Sequence, residues 1–327
     1  MKINWMISHL VALLLMCSCS SDQHRERQAR IQEWNQANGK LKVLTTTEII
    51  GDLAKQVGGE QVIVLALIQG QLDPHSYQLV KGDDEKLALA EVIFYNGLGL
   101  EHGPSLHRYL SQNPQAISLG DQIALRHPER IIEVYGQKDP HIWMDISLWS
   151  ETVPFIVEAL SKQDPMHAAD YEANGRALRA KMEERHRQVQ DILHQLPDNQ
   201  RYLVTSHDAF NYFARAYLSE EDEIASGEWQ KRFAAPEGLA PESQLSTMHI
   251  KEIIHHLNRY HIRLLFPESN VSRDSIKKIV QAGKEQGMDL DRACCVLYGD
   301  AMGPPGSGAD TYLDMILYNA QTLASHM

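Results

Sequence analysis

Asp164-Pro165-Met166-His167-Ala168-Ala169-Asp170-Tyr171 opens a stretch that continues through Ala177, Leu178, Met182, Val189, Ile192, Leu193 and Leu196, until Pro197-Asp198-Asn199 stops it. The apolar positions recur at the period of an α-helix. Asp164 suits the N-cap and Pro165 the first helical position. Gly175 is the one weak interior position. Roughly 32 residues at about 1.5 Å each predict a rod of about 48 Å, long enough to run the length of a two-domain body. The stretch divides the chain into a lobe over 41–162, a linking helix over 163–197 and a second lobe over 198–327.

Both flanks alternate strand-like with helix-like runs. Leu41 to Thr47 and Val62 to Ile68 read as strands on either side of a helical Ile49 to Val57. A helical segment from about Asp83 to Ala90 then precedes a strand at Val92-Ile93-Phe94-Tyr95. Beyond the long helix, Arg201 to Thr205, Arg263 to Phe266 and Ala293 to Leu297 read as strands. Helices are predicted over Ala209 to Leu218, Ser246 to Tyr260, Arg273 to Gln286 and Asp310 to Ala324. This alternation signals an α/β fold of two (β/α)4-like lobes with parallel sheets. Cys294-Cys295 reads as two small apolar residues in a buried strand, and adjacent cysteines are a strained place for a disulfide.

The first residues set the compartment. Lys2 precedes a short apolar run from Ile7 to Cys17, too short for a bilayer-spanning helix of about 20 residues and suited to an export signal. Ser18 before Cys19 supplies the small residue that lipoprotein processing needs, so residues 1–18 are expected to leave and Cys19 to carry lipid. A soluble secreted protein cut near Ser20 is the alternative. Residues 19–40 are polar and read as a tether between lipid and folded body. With 31 Lys and Arg against 43 Asp and Glu, the net charge of −12 argues against nucleic acid and against charge-driven adhesion to anionic lipid.

Three histidines and one aspartate carry the chemistry. His75 stands in Asp73-Pro74-His75-Ser76-Tyr77, His141 in Asp139-Pro140-His141-Ile142-Trp143, and His207 in Thr205-Ser206-His207-Asp208. Asp300 closes Leu297-Tyr298-Gly299-Asp300. Each lies in a loop after a predicted strand, where open α/β sheets bind ligands, and Pro74 and Pro140 restrict the loops that present two of them. Three imidazoles and a carboxylate complete a coordination shell for a divalent transition metal. A filled shell suits holding an ion better than reacting with it.

The stretch Asp73 to Glu101, with Asn96-Gly97-Leu98-Gly99-Leu100-Glu101 at its end, resembles the first metal motif of the zinc/manganese/iron-binding lipoproteins serving bacterial ABC importers, the cluster A-I solute-binding family. Asp139 to Asp145 resembles its second motif, Ser206 to Phe213 its third, and Tyr298-Gly299-Asp300 with Asp310-Thr311-Tyr312 and Asn319 its last. The resemblance spans residues 41–325 in order. It implies two α/β lobes joined by a rigid helix, metal ligands at His75, His141, His207 and Asp300, and delivery to a membrane permease with its ATPase. It places Glu268 beside the site as a residue orienting an imidazole. The chain departs from the family in three places. Val80-Lys81 occupies the site of a usual proline, Ser118 to Lys138 contains only His127 where dedicated zinc members carry a His-rich loop, and His207 stands where manganese members commonly have glutamate.

Zn2+, Mn2+ and Fe2+ all remain open as the cargo. A tetrahedron of three nitrogens and one oxygen suits zinc, whereas a bidentate Asp300 favours manganese or iron. No organic cofactor is implied, and a monomer is expected. The competing reading is a zinc hydrolase, which needs an open coordination position and a base; neither HExxH nor HxxEH occurs. A structural zinc protein or surface adhesin is the third.

Overall fold

Val43 pairs with Val64 on one side and Val92 on the other, and this apolar ladder is the centre of the first lobe. The computed structural model of the chain describes residues 25, 27–241, 246–292 and 294–327, so the expected signal segment and Cys19 lie outside the described residues. Helix α1 covers 27–36. Strands β1 (Leu41–Thr45), β2 (Val62–Ala66), β3 (Val92–Tyr95) and β4 (Ala116–Ser118) form a parallel sheet in the order β2-β1-β3-β4. Helices α2 (Glu48–Gly58), α3 (Asp83–Leu89), α4 (Pro104–Gln112) and α5 (Leu119–Arg126) alternate with these strands. β-branched residues buried on both faces are what a covered parallel sheet requires. A two-residue antiparallel hairpin, β5 (Glu133–Val134) with β6 (Gln137–Lys138), then leads through α6 (Ile146–Trp149) and α7 (Val153–Gln163) to the long helix.

That helix, α8, spans Ala168–His194 after a 3-10 turn at Pro165–His167. Its 27 residues reach about 40 Å, shorter than the sequence predicted. Asp164 and Pro165 open it as predicted, but the first turn is 3-10, and there the Asp164 carboxylate holds the ring of His167 at 2.6 Å and the hydroxyl of Tyr171 at 2.7 Å. Gly175 has a packing reason: a Cβ there would lie 2.5 Å from Val157 Cγ2, so the glycine lets α7 and α8 approach closely.

The second lobe repeats the first in miniature. Strand β7 (Leu203–Val204) pairs with β8 (Phe233–Ala234) and β9 (Leu264–Leu265) with β10 (Asp291–Arg292), all parallel. The Phe266 N–H donates to Val204 O at 2.9 Å and joins the two pairs, giving the order β8-β7-β9-β10, the topology of the first sheet. The predicted helix after His207 begins as α9 (Asn211–Phe213) and continues as a π-helix over Ala214–Leu218. Helices α10 (Glu221–Ser226), α11 (Thr247–Arg259), α12 (Asp274–Glu285) and α13 (Tyr312–His326) complete the lobe.

Two further expectations are corrected. The stretch 19–40, read as a polar tether, is helical over 27–36, and Trp34 is buried with its Nε1 shared between Val43 O at 3.2 Å and Ile63 O at 3.1 Å. The strand predicted over Ala293 to Leu297 pairs instead at Asp291–Arg292 and again where Leu297 bridges Glu268. At Cys294 and Cys295 the chain bends, leaving the first exposed and the second partly so.

A single apolar core runs through both lobes along α8, drawing Phe94, Trp149, Tyr171, Met182, Phe213, Tyr217 and Met315 into one cluster. Separate layers cover the outer faces, around Leu65 and Leu106 in the first lobe and around Leu257 and Ile279 in the second. Polar ties also cross: Tyr312 OH donates to Trp143 O at 2.7 Å, Tyr212 OH to Asp139 O at 3.1 Å, and Trp143 Nε1 to Gly299 O at 2.9 Å. A continuous core with hydrogen bonds across it resists hinge opening.

Candidate metal centre

The four residues singled out in the sequence meet at one point. One donor atom from each of His75, His141, His207 and Asp300 lies within 4.8 Å of the others, and all four residues are buried. The three Nε2 atoms face inward. His75 and His141 approach to 3.3 Å, and Asp300 lies 3.2 Å from His207, 3.4 Å from His141 and 3.7 Å from His75.

Local chemistry sets each side chain. His75 follows β2, His207 follows β7, and Asp300 follows the Leu297 bridge, so three of the four sit past the carboxyl ends of parallel strands. His141 does not: it follows the β5–β6 hairpin, and its loop is fixed by Asn96 Nδ2, which donates to Pro140 O at 2.9 Å. In both Asp-Pro-His turns the aspartate accepts the histidine N–H at 2.9 Å. The turns then diverge. Asp73 gives its other oxygen to the Ser76 hydroxyl at 2.6 Å, whereas Asp139 Oδ1 also reaches His141 Nδ1 at 2.7 Å. Asn211 Nδ2 donates to the second Asp139 oxygen at 3.0 Å.

Glu268 plays the matching part for His207. Its Oε1 accepts from the Ser206 and His207 N–H groups at 3.0 and 2.9 Å, and Oε2 lies 2.8 Å from Nδ1. That last contact pairs the ring with the carboxylate charge. The sequence pointed to Glu268 but missed Asp139, whose sequence signal is its position two before a histidine. Also missed was Asn270, which donates to Asp300 Oδ2 at 3.3 Å.

The electrostatics fit a cation. Burial, the largest influence, drives the His75 pKa well below its usual value, so that ring is neutral with a lone pair available. For His207 burial acts in the same direction, but the charges of Glu268 and Asp300 outweigh it and hold the pKa well above the usual value. Burial raises Asp300, yet His207 first and then His75 and His141 pull its carboxyl far below the ordinary range. Asp208, beside the site, is pushed up to about 7 by burial and then by Asp139. His207 Nε2 faces Asp300 Oδ2 at 3.2 Å, and Asp300 Oδ1 is buried without a hydrogen-bond partner among the described residues. A buried carboxylate oxygen left so is costly unless something positive joins it. Three imidazole nitrogens and a carboxylate, with two rings backed by carboxylates, make the donor set of a transition-metal site.

A cleft of about 480 Å³ opens onto the centre, walled by Gly99, Tyr135, Lys138, Pro140 and Leu239. His75 is the member of the quartet that lines it, and His102 stands beside it with ring centroids 5.8 Å apart.

Known proteins resemble this chain in sequence and in fold. The chain is 34% identical over 318 residues to the metal-binding protein YtgA of Chlamydia trachomatis, covering 97% of this chain and 93% of that protein. It is 30% identical to the manganese-binding lipoprotein MntA of Bacillus subtilis, over 88% of this chain and 90% of that one. The crystal structure of Fe(III)-bound YtgA from Chlamydia trachomatis superposes with a TM-score of 0.82 at 35% identity, covering 88% of this chain and 97% of that one. The periplasmic zinc-binding protein TroA from Treponema pallidum superposes at 0.78 with 27% identity, over 88% and 99%. With residues 43–326 matching its description, the chain belongs to the ZnuA family, "Zinc-uptake complex component A periplasmic".

Proposed function

We propose that this protein is the solute-binding component of an ABC importer for a transition-metal cation. It takes the ion into His75, His141, His207 and Asp300 and passes it to a membrane permease driven by its ATPase. The observation that carries the reading is the buried convergence of the three Nε2 atoms on Asp300. Zinc, manganese and iron form the cargo class, in line with relatives described as manganese-binding, zinc-binding and Fe(III)-bound. Carriage is favoured over hydrolysis by the two neighbouring carboxylates. Glu268 and Asp139 are both committed to imidazoles, which leaves neither as a general base.

Export, anchoring through lipid on Cys19, and a body of two lobes about the helix of 163–197, the first extended ahead of residue 41 by α1 and the second over 198–327, belong to the same reading. Elemental analysis of the protein purified from its native host tests it. Zinc, manganese or iron is expected in the wild type, with one ion per chain lost in His207→Ala and in Asp300→Ala. Equal metal content in all three proteins would overturn the assignment.

A further inference from the structure

Cys294, Cys295 and His326 come together on the surface away from the buried quartet. The two cysteines lie in the bend after β10, and the histidine closes α13. The sulfurs are 3.9 Å apart, and each lies 3.6 Å from His326 Nε2. Zn–S bonds of about 2.3 Å and a Zn–N bond of about 2.0–2.1 Å in a tetrahedron require separations of about 3.8 Å between sulfurs and about 3.6 Å between sulfur and nitrogen. The three atoms thus already stand at the corners of one face of such a tetrahedron.

The imidazole is also set for the task. Its Nδ1 lies 2.7 Å from Thr322 O, which fixes the proton on Nδ1 and leaves the Nε2 lone pair toward the sulfurs. Phe266 packs edge-on against the ring, with centroids 6.4 Å apart. No disulfide joins the cysteines. We infer that Cys294, Cys295 and His326 form a second cation site, open to solvent, for a thiophilic d10 ion of the Zn2+ class.

On binding, each thiol gives its proton to solvent, two metal–sulfur bonds and one metal–nitrogen bond replace bound waters, and no electrons move. With Cys294 and His326 exposed, the fourth position faces water. The ion is therefore exchangeable, unlike one closed off in a structural site with four protein ligands. This inference stands apart from the carrier reading, because the buried quartet contains no sulfur.

Cobalt distinguishes the two sites. The full chain, kept reduced with a phosphine, is titrated with Co2+ and followed for the thiolate-to-cobalt charge-transfer band. The wild type is expected to show the band and to bind a second equivalent. His207→Ala is expected to keep the band, whereas Cys294→Ser/Cys295→Ser loses both the band and one equivalent without change in circular dichroism. His326→Ala is expected to move the band to higher cobalt concentration. A wild type without the band, or a double variant that retains it, would overturn the site. A titration in which the band persists while His207→Ala binds as many ions as wild type would instead count against the carrier reading.

Discussion

Glu268 holds His207 at both ends, accepting its backbone N–H through one oxygen at 2.9 Å and facing its ring Nδ1 with the other at 2.8 Å. Asp139 grips His141 through a single oxygen, 2.9 Å from the backbone nitrogen and 2.7 Å from Nδ1. Asp73 holds only the backbone of His75. Two rings are thus backed by carboxylates, while the third, at the cleft, is held more loosely. His75 is also the ring of the quartet that lines the cleft.

Glu268→Gln keeps the size and a backbone acceptor but removes the negative charge beside Nδ1. Loss of such a partner costs about 10–100-fold in metal affinity. Competition against a chromophoric chelator is expected to show that drop, with a much smaller one for Asp73→Asn. Equal affinities for wild type and Glu268→Gln would deny Glu268 its orienting part.

The quartet was legible because each ligand announces itself locally, in two Asp-Pro-His turns and two loops after apolar runs. The orienting contacts were not. Asp73 and Asp139 occupy identical tripeptides, and only the fold decides that one reaches an imidazole and the other a serine. The long helix was legible from its period and its Asp-Pro start, but not the 3-10 winding of its first turn at Pro165–His167. Helix α1 was hidden because only Ile31 and Trp34 join the adjacent core from a polar stretch, too few to make a periodic signal. The second sheet was legible in outline only. Its two-residue strands are held by their neighbours more than by their own sequence.

Trp34 ties α1 to the first sheet, so the folded body begins before residue 41. Trp34→Ala removes a buried indole and two shared hydrogen bonds, and is expected to cost about 3–5 kcal/mol. Denaturant unfolding reads this directly. A midpoint unchanged from wild type would return 27–36 to the status of a tether.

Gly175→Leu tests the close approach of α7 and α8. Leucine gains helix propensity of about 1 kcal/mol over glycine, but its Cβ would overlap Val157 Cγ2 at 2.5 Å, and overpacking costs about 1–3 kcal/mol. A net lowering of Tm is expected, and pairing Gly175→Ala with Val157→Ala should recover part of it. A Tm raised by Gly175→Leu alone would show that the helices have room to move apart.

Proton linkage gives the last test. The charges of Glu268 and Asp300 hold the His207 pKa well above the usual value and so favour its protonated form in the ion-free site. The sign follows from the raised value. Stabilisation by that proton is complete below about pH 6.5 and is lost as pH rises through the folded pKa. A cation needs the same Nε2, so it must expel the proton, and affinity should climb with pH as the ion-free form weakens. Asp300 works in the opposite sense. Its depressed pKa stabilises the fold above about pH 3.9, and that contribution fades as pH falls toward the folded value. Calorimetric titration at pH 7 with Zn2+, in buffers of differing ionisation enthalpy, should report about one proton released per ion from the buried site in a Cys294→Ser/Cys295→Ser background, with less released in Asp300→Asn. If no proton leaves in that background, His207 is neutral before the ion arrives, and the imidazolium held between two carboxylates is ruled out.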